Sequence, residues 1–409
     1  MSDLGARAVS AVGVAAIVAI AWACSTDRHR LPWRTVGWGL GLQLAVALLL
    51  LASPAGRGVF VAASGAVTAL TSYTQVGSRF LFGPLVDAGF SFALHVLPVI
   101  VFMGSLFAIL FHLGLVQQVV RLLARGLERT LQTSGAESLA AAANIFVGMA
   151  EAPLLVRPYV ERMTRSELFA VMTTGMATVA GSVLVVYAAM LGEGYAGHLV
   201  TASLLAAPGG LLLAKVMVPE TETPLTSGSI RAEVEQPGRN VIDAAAIGAI
   251  SGLRLAAYVG AMLLAFVALI AVANDGLAAV GGLFGVDGLS FQRVLGWGFA
   301  PLAVLIGVAP ADAVTVGGLL GVKTVLNEFL AYQELAALVA DGALAPRSAV
   351  LASYALCGFA NFGSLAILLG GLGGIAPSRR GDIAALGLRS ILAGTLATLL
   401  AAAWAGVLL

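Results

Sequence analysis

Long apolar runs separated by short polar interruptions dominate the chain, and the runs are too long for the core of a soluble domain. A bilayer span needs about 20 predominantly apolar residues. Runs of this kind lie at residues 8–24, 36–53, 91–116, 167–192, 196–218, 255–275, 348–374 and 384–408, which predicts eight transmembrane helices. Three further apolar stretches have a different texture. Residues 58–88 are broken by Ser, Gly and Thr and read as an interfacial helix. Residues 130–160 and 294–335 are studded with Gly, Pro, Asn and Glu and read as re-entrant helical hairpins. Non-helical backbone is tolerated at membrane depth only where it is buried in protein or lines a cavity.

Composition supports the membrane reading. Of 409 residues, 59% are apolar and only 11% charged, with a mean hydropathy of +0.98. A soluble domain carries roughly 25% charge, so too few polar groups exist to cover a globular surface. The net charge of +1 offers no basic stripe for a nucleic-acid polymer. Cys24 and Cys357 lie in apolar runs and read as packing residues. The first apolar run leads into a basic loop rather than a small-residue cleavage site, so it reads as a span and not a removable signal. His29, His95, His112 and His198 contain no pair at metal-ligand spacing.

Arginines set the expected orientation. Arg28, Arg30 and Arg34, then Arg121, Arg125 and Arg129, Arg157, Arg162 and Arg165, Arg231 and Arg239, and finally Arg379, Arg380 and Arg389 all fall on one side if the N-terminus is outside. The opposite loops carry Glu193, Asp275 and Asp287. The positive-inside rule then puts both termini outside in a multi-pass protein of the plasma (inner) membrane. Residues 219–243 read as a surface linker.

The two hairpins carry the chemistry. The first holds Asn144 and Glu151-Ala152-Pro153, then an Arg-rich turn, then a span with Thr178 and Ser182. The second holds Lys323 and Asn327-Glu328, then a turn, then a span with Asn361 and Ser364. One enters from the inside and the other from the outside, the signature of an inverted repeat with substrate near the midplane. The fold class is an all-α polytopic membrane protein. Its expected parts are scaffold helices (1–129), a first transport repeat (130–218), the linker (219–243), a scaffold span (244–293) and a second transport repeat (294–409). A charge at the centre of a span costs ~2.5–3.5 kcal/mol, so Glu151 and Glu328 need partners or a watery cavity. The competing reading pairs Glu328 with Lys323, or keeps it protonated, and makes the asparagines helix bridges.

Specific motifs narrow this further: Gly321-x-Lys323-x-x-x-Asn327-Glu328-Phe329-x-Ala331-Tyr332, Ser353-Tyr354-Ala355-Leu356-Cys357-Gly358-Phe359-Ala360-Asn361-Phe362, and Glu151-Ala152-Pro153-Leu154 with Ser166-Glu167-Leu168-Phe169-Ala170-Val171-Met172. At these positions the chain resembles the concentrative nucleoside transporters, bacterial sodium-coupled type, from about residue 58 to the C-terminus. The resemblance implies a trimeric symporter, not an enzyme, that imports nucleosides by an elevator-like motion. It implies that Glu328, Asn361 and Ser364 hold the ribose hydroxyls with Phe359 against the sugar, and that Met149, Ala150, Glu151 and Val183 face the base. It also implies Na+ as coupling ion, held by Asn144 and Thr178 with the carbonyls of Val147 and Val179, and no organic cofactor. Close family members have Gln-Thr where this chain has Met149-Ala150, so two polar base contacts are missing. That departure leaves open a modified nucleoside or another hydroxylated heterocycle, and the proton remains the alternative coupling ion. A membrane enzyme using Glu151 or Glu328 as general base has no nucleophile or metal to complete it, and a channel does not account for two closed hairpins.

Overall fold

The structure, a computed structural model, describes residues 3–89, 91–192, 194–226 and 238–409. Arg231 and Glu193, used above for orientation, lie outside the described residues. The described residues form helices with no strand between them. The chain opens with α1 (Asp3–Ala23), α2 (Trp33–Ala47) and α3 (Pro54–Phe82), followed by the short α4 (Phe92–His95). From there the element order repeats. The first series is α5 (Leu97–His112), α6 (Leu115–Leu131), α7 (Gly135–Asn144), α8 (Arg157–Val160), α9 (Arg165–Ala177), α10 (Gly181–Leu191) and α11 (Tyr195–Met217). The second is α12 (Val241–Leu283), α13 (Phe291–Leu305), α14 (Ala313–Val325), α15 (Glu328–Ala340), α16 (Pro346–Leu356), α17 (Phe362–Ile375) and α18 (Arg380–Leu408).

Eight helical stretches among the described residues are long and apolar enough to cross a membrane. The count matches the expectation, but one member differs. Residues 348–374 are not a continuous span: α16 ends at Leu356 and α17 begins at Phe362, with unwound backbone between. Pro54–Asp87, expected at the interface, is among the stretches long and apolar enough to span. The span at 167–192 is likewise interrupted, between Ala177 and Gly181. Neither break contains proline. Each exists because a helical hydrogen bond has been exchanged for one to another element. Gly181 N donates to the Phe146 carbonyl at 3.0 Å, and Phe359 N donates to the Thr178 carbonyl at 3.2 Å. In an unbroken helix those N–H groups would reach Ala177 and Ala355.

Two other expectations need correction. The stretch 294–335 is not a single hairpin, because most of α13 precedes the α14–α15 pair as a separate helix. The segment after α11 is not simply a surface linker. Lys215 Nζ lies 2.8 Å from Glu137 and 3.3 Å from Glu220, and it donates to Ser166 Oγ at 3.0 Å. Thr226 accepts from Ala136 N on its hydroxyl and from Gly135 N on its carbonyl. The residues just after α11 therefore strap the starts of α7 and α9 together. Both of those starts carry a Ser/Thr–Glu capping box, Ser134 with Glu137 and Thr164 with Glu167, which satisfies first-turn donors locally.

The core sits in the second half of each series. α9, α11 and α18 are buried along most of their length, whereas α3 and α12 are largely exposed. α12 runs for 43 residues, about 64 Å at the α-helical rise.

Candidate functional site

Three helices begin around one cavity. Asn327 caps α15 by accepting from Leu330 N at 2.8 Å, which makes Glu328 the first residue of that helix. Asn361 caps α17 by accepting from Ser364 N at 2.7 Å. α10 starts at Gly181 and brings Ser182, Val183 and Tyr187 to the same space. Helix N-termini present free N–H groups and partial positive charge, so a buried carboxylate at the first position of α15 is favoured there.

The cavity has a volume of about 200 Å³, and all eight residues expected on the substrate side line it: Glu328, Asn361, Ser364, Phe359, Met149, Ala150, Glu151 and Val183. Glu328 is buried, and both of its oxygens are engaged. Tyr187 donates from its hydroxyl to Oε1 at 2.9 Å, and Asn361 donates from Nδ2 to Oε2 at 2.7 Å. The Tyr187 ring is held by stacking on Tyr332, with centroids 4.1 Å apart and planes 17° apart. Tyr332 in turn donates to the Ser353 carbonyl at 2.6 Å.

The reading that paired Glu328 with Lys323 is not what the structure has. Lys323 donates to the Ala355 carbonyl at 2.8 Å and to Thr398 Oγ1 at 3.0 Å, and it makes no ion pair among the described residues. Tyr187 and Asn327 were missed as site residues. Their signal was faint but present: Tyr187 stands one helical turn after Val183 and so shares its face, and Asn327 directly precedes the acid.

On another side of the cavity, Glu151 sits in the turn 145–151 that follows α7. Gly148, with φ +85°, lets this turn lie on the break before α10: a Cβ there would meet the Ala180 Cβ at 3.0 Å. Met149 is buried and Ala150 exposed, and neither side chain offers a hydrogen bond to the cavity. The tip is therefore apolar up to Glu151.

The four residues expected to hold a cation lie in this turn and in the segments next to it. Asn144 is fully buried and closes α7, and Nδ2 reaches Thr174 Oγ1 at 3.5 Å while Oδ1 has no hydrogen-bond partner. Thr178 and Val179 are fully buried in the break after α9, where Thr178 Oγ1 donates to the Thr174 carbonyl at 2.9 Å. Among the described residues, the carbonyls of Val147 and Val179 accept no hydrogen bond. An orphaned buried amide oxygen at the end of α7, with free carbonyls in the segments after α7 and α9, suits a hard monovalent cation with oxygen ligands. The ends of α9 and α16 carry partial negative charge, so helix starts with free donors gather at the cavity and helix ends with free acceptors lie next to it.

Comparison with known proteins identifies the family. Family models described as the Na+ dependent nucleoside transporter N-terminus, nucleoside recognition (gate), and the Na+ dependent nucleoside transporter C-terminus match residues 12–85, 93–194 and 198–406. The chain is 49% identical over 399 residues to the uncharacterized transporter YutK of Bacillus subtilis, covering 97% of this chain and 98% of the relative. It is 40% identical to the nucleoside permease NupC of Helicobacter pylori, with 97% of each chain covered. Among solved structures it superposes on CNTnw in an inward-facing substrate-bound state with a TM-score of 0.91, at 46% identity and 98% coverage of both chains. It also superposes on a doubly substituted CNTnw in an outward-facing state, with a TM-score of 0.93. The chain is a multi-pass membrane transporter, not an enzyme, and it belongs to the Na+ dependent, concentrative nucleoside transporter family.

Proposed function

We propose that this protein imports nucleosides by sodium symport across the plasma (inner) membrane, with both termini outside. The observation that carries the reading is the Glu328 carboxylate, held by Tyr187 and Asn361 at the start of α15 and facing a cavity shared with the Glu151 turn. An ionised carboxylate accepts from vicinal ribose hydroxyls, and the free N–H groups of α10, α15 and α17 donate to hydroxyl oxygens. Such a site rejects analogues that lack the hydroxyls, because its buried polar groups are then left unpaired. Ser364 and Phe359 complete the sugar side, and Met149, Ala150, Glu151 and Val183 the base side. The hairpins and broken helices move as one body against a scaffold, and three copies assemble. The exposed apolar surfaces of α3 and α12 support an intermolecular role.

Sodium drives the uphill step. One charge crossing ~100 mV releases about 2.3 kcal/mol, and a tenfold gradient adds about 1.4 kcal/mol, enough for several hundredfold accumulation at one ion per substrate. Coupling requires that each ligand improve the other's binding by the same factor. The physical link is short: the Thr178 carbonyl, at the ion side, accepts from Phe359 N, in the segment that carries Asn361. An ion that orders the first break therefore orders the second. Uptake of labelled uridine and adenosine into proteoliposomes tests this. Accumulation is expected with an inward sodium gradient and not with choline at the same pH. Equal uptake under both conditions moves the coupling to protons or removes it.

The apolar pair Met149-Ala150 favours a second version, in which the base is modified or replaced by another hydroxylated heterocycle. Met149→Gln combined with Ala150→Thr is expected to shift preference toward common nucleosides by about tenfold, the value of one hydrogen bond to a charged or buried partner. An unchanged competition profile places base recognition elsewhere. Tyr187→Phe keeps the stack on Tyr332 but removes one donor from Glu328. It is expected to raise KM for nucleoside about tenfold with maximal rate nearly intact, and an unchanged KM dismisses Tyr187 as a positioning residue.

A further inference from the structure

We propose that Lys323 is a tethered cation: its ammonium fills, in the second series of helices, the position at which the first series takes its coupling ion. The inference rests on the sodium reading above and adds the reason that one break depends on a dissolved ion and the other does not.

The two positions correspond element by element. In the first series, the end of α7 supplies Asn144, which faces α9 just before its break. The N–H of Gly181 has left the helix for the Phe146 carbonyl, and the vacated Ala177 carbonyl accepts no hydrogen bond among the described residues. In the second series, the last turn of α14 supplies Lys323, which faces α16 just before its break. There the N–H of Phe359 has left for the Thr178 carbonyl, and the vacated Ala355 carbonyl receives the Lys323 ammonium at 2.8 Å. The remaining acceptor, Thr398 Oγ1 at 3.0 Å, comes from α18, the last helix of its series as α11 is of the first. Thr398 gives its own proton to the Thr395 carbonyl at 3.0 Å, which leaves its lone pairs for the lysine.

The chemistry matches the placement. Breaking a helix leaves carbonyls unpaired at the end where the dipole is negative. A cation is the natural partner, whether a hydrated ion that must be stripped or an ammonium already attached. Lys323 is fully buried and has no carboxylate within ion-pair distance among the described residues, so its direct partners are two neutral oxygens, the Ala355 carbonyl and Thr398 Oγ1. Its stem belongs to the same helix pair that carries Glu328. The second break is thus assembled permanently, while the first is assembled only when an ion arrives.

The consequence is a fixed count of one transported cation per nucleoside. Dual-label uptake of sodium and uridine into proteoliposomes of the wild-type protein is expected to give a ratio of one. A ratio of two overturns the proposal, since the lysine leaves no second position of this kind. Uridine entry with no accompanying sodium removes the sodium reading itself, a different failure. Lys323→Asn vacates the ammonium and installs the amide found at Asn144. The variant is expected to take a second sodium: the uptake ratio rises to two, and the sodium dependence of thermal stability becomes cooperative. Lys323→Met keeps the stem volume but has neither charge nor oxygen. It is expected to lose uptake about tenfold or more without any change in ratio. A ratio of one in Lys323→Asn, or wild-type uptake in Lys323→Met, overturns the proposal. If neither variant survives purification, the wild-type ratio decides.

Discussion

Glu328→Gln is expected to abolish nucleoside uptake while the protein still purifies as a folded species. The substitution preserves shape but changes one acceptor oxygen into a donor. In the wild type, Tyr187 and Asn361 both donate to this side chain. A glutamine can satisfy only one of them and turns its own N–H₂ toward the other. Two charge-assisted hydrogen bonds to sugar hydroxyls are lost together. At ~1.5–3 kcal/mol each, the loss amounts to roughly two to four orders of magnitude in uptake at low substrate. Uptake from a nucleoside titration, with thermal melting as the check on folding, reads the effect. Uptake within a factor of about three of wild type would mean that the carboxylate is structural.

The second large effect concerns the ion. Asn144→Ala is expected to erase the dependence of both uptake and melting temperature on sodium. Asn144 Oδ1 is buried with no partner, an arrangement that costs about 1–3 kcal/mol unless a ligand fills it. A bound ion stabilises the folded state by about 2.7 kcal/mol at a hundredfold excess over its Kd, so wild-type protein should melt higher in sodium than in choline. Without the amide that difference should vanish, while the melting temperature in choline falls only slightly because the described side-chain hydrogen bond that is lost is the long Nδ2 contact with Thr174 Oγ1 at 3.5 Å. A sodium-induced shift that persists in Asn144→Ala would place the ion elsewhere.

Hydropathy made most of the membrane helices legible, because a run of some twenty apolar residues has few other uses. It could not show the breaks at 178–180 and 357–361. Both lie inside continuous apolar runs without proline, and their cause is a hydrogen bond to a residue distant in sequence: Phe146 for Gly181, Thr178 for Phe359. The residues expected on the substrate side came from the motif, and the structure brings all of them to one cavity. How the asparagines act was not legible. The sequence offered helix bridging for the asparagines or, for Asn361, sugar binding, yet Asn327 and Asn361 each spend the side-chain carbonyl oxygen on a helix start. Lys323 and Glu328 stand close enough in sequence to suggest a pair, but α14 ends between them at Val325, and the two side chains leave for different neighbours.

One wall of the cavity comes from α12, through Leu255, Tyr258, Val259 and Met262. Every hydrogen bond described around Glu328 comes instead from the hairpins and broken helices. In the elevator motion proposed above, a loaded carrier would part from this wall without breaking a directional bond, and α12 is about twice as long as the ~30 Å hydrocarbon layer it crosses. Such a surface would work as a greased rail in that motion: it would keep water from the cargo along the route yet favour no single stop, so the carrier's resting place would be set by its ligands and not by its track.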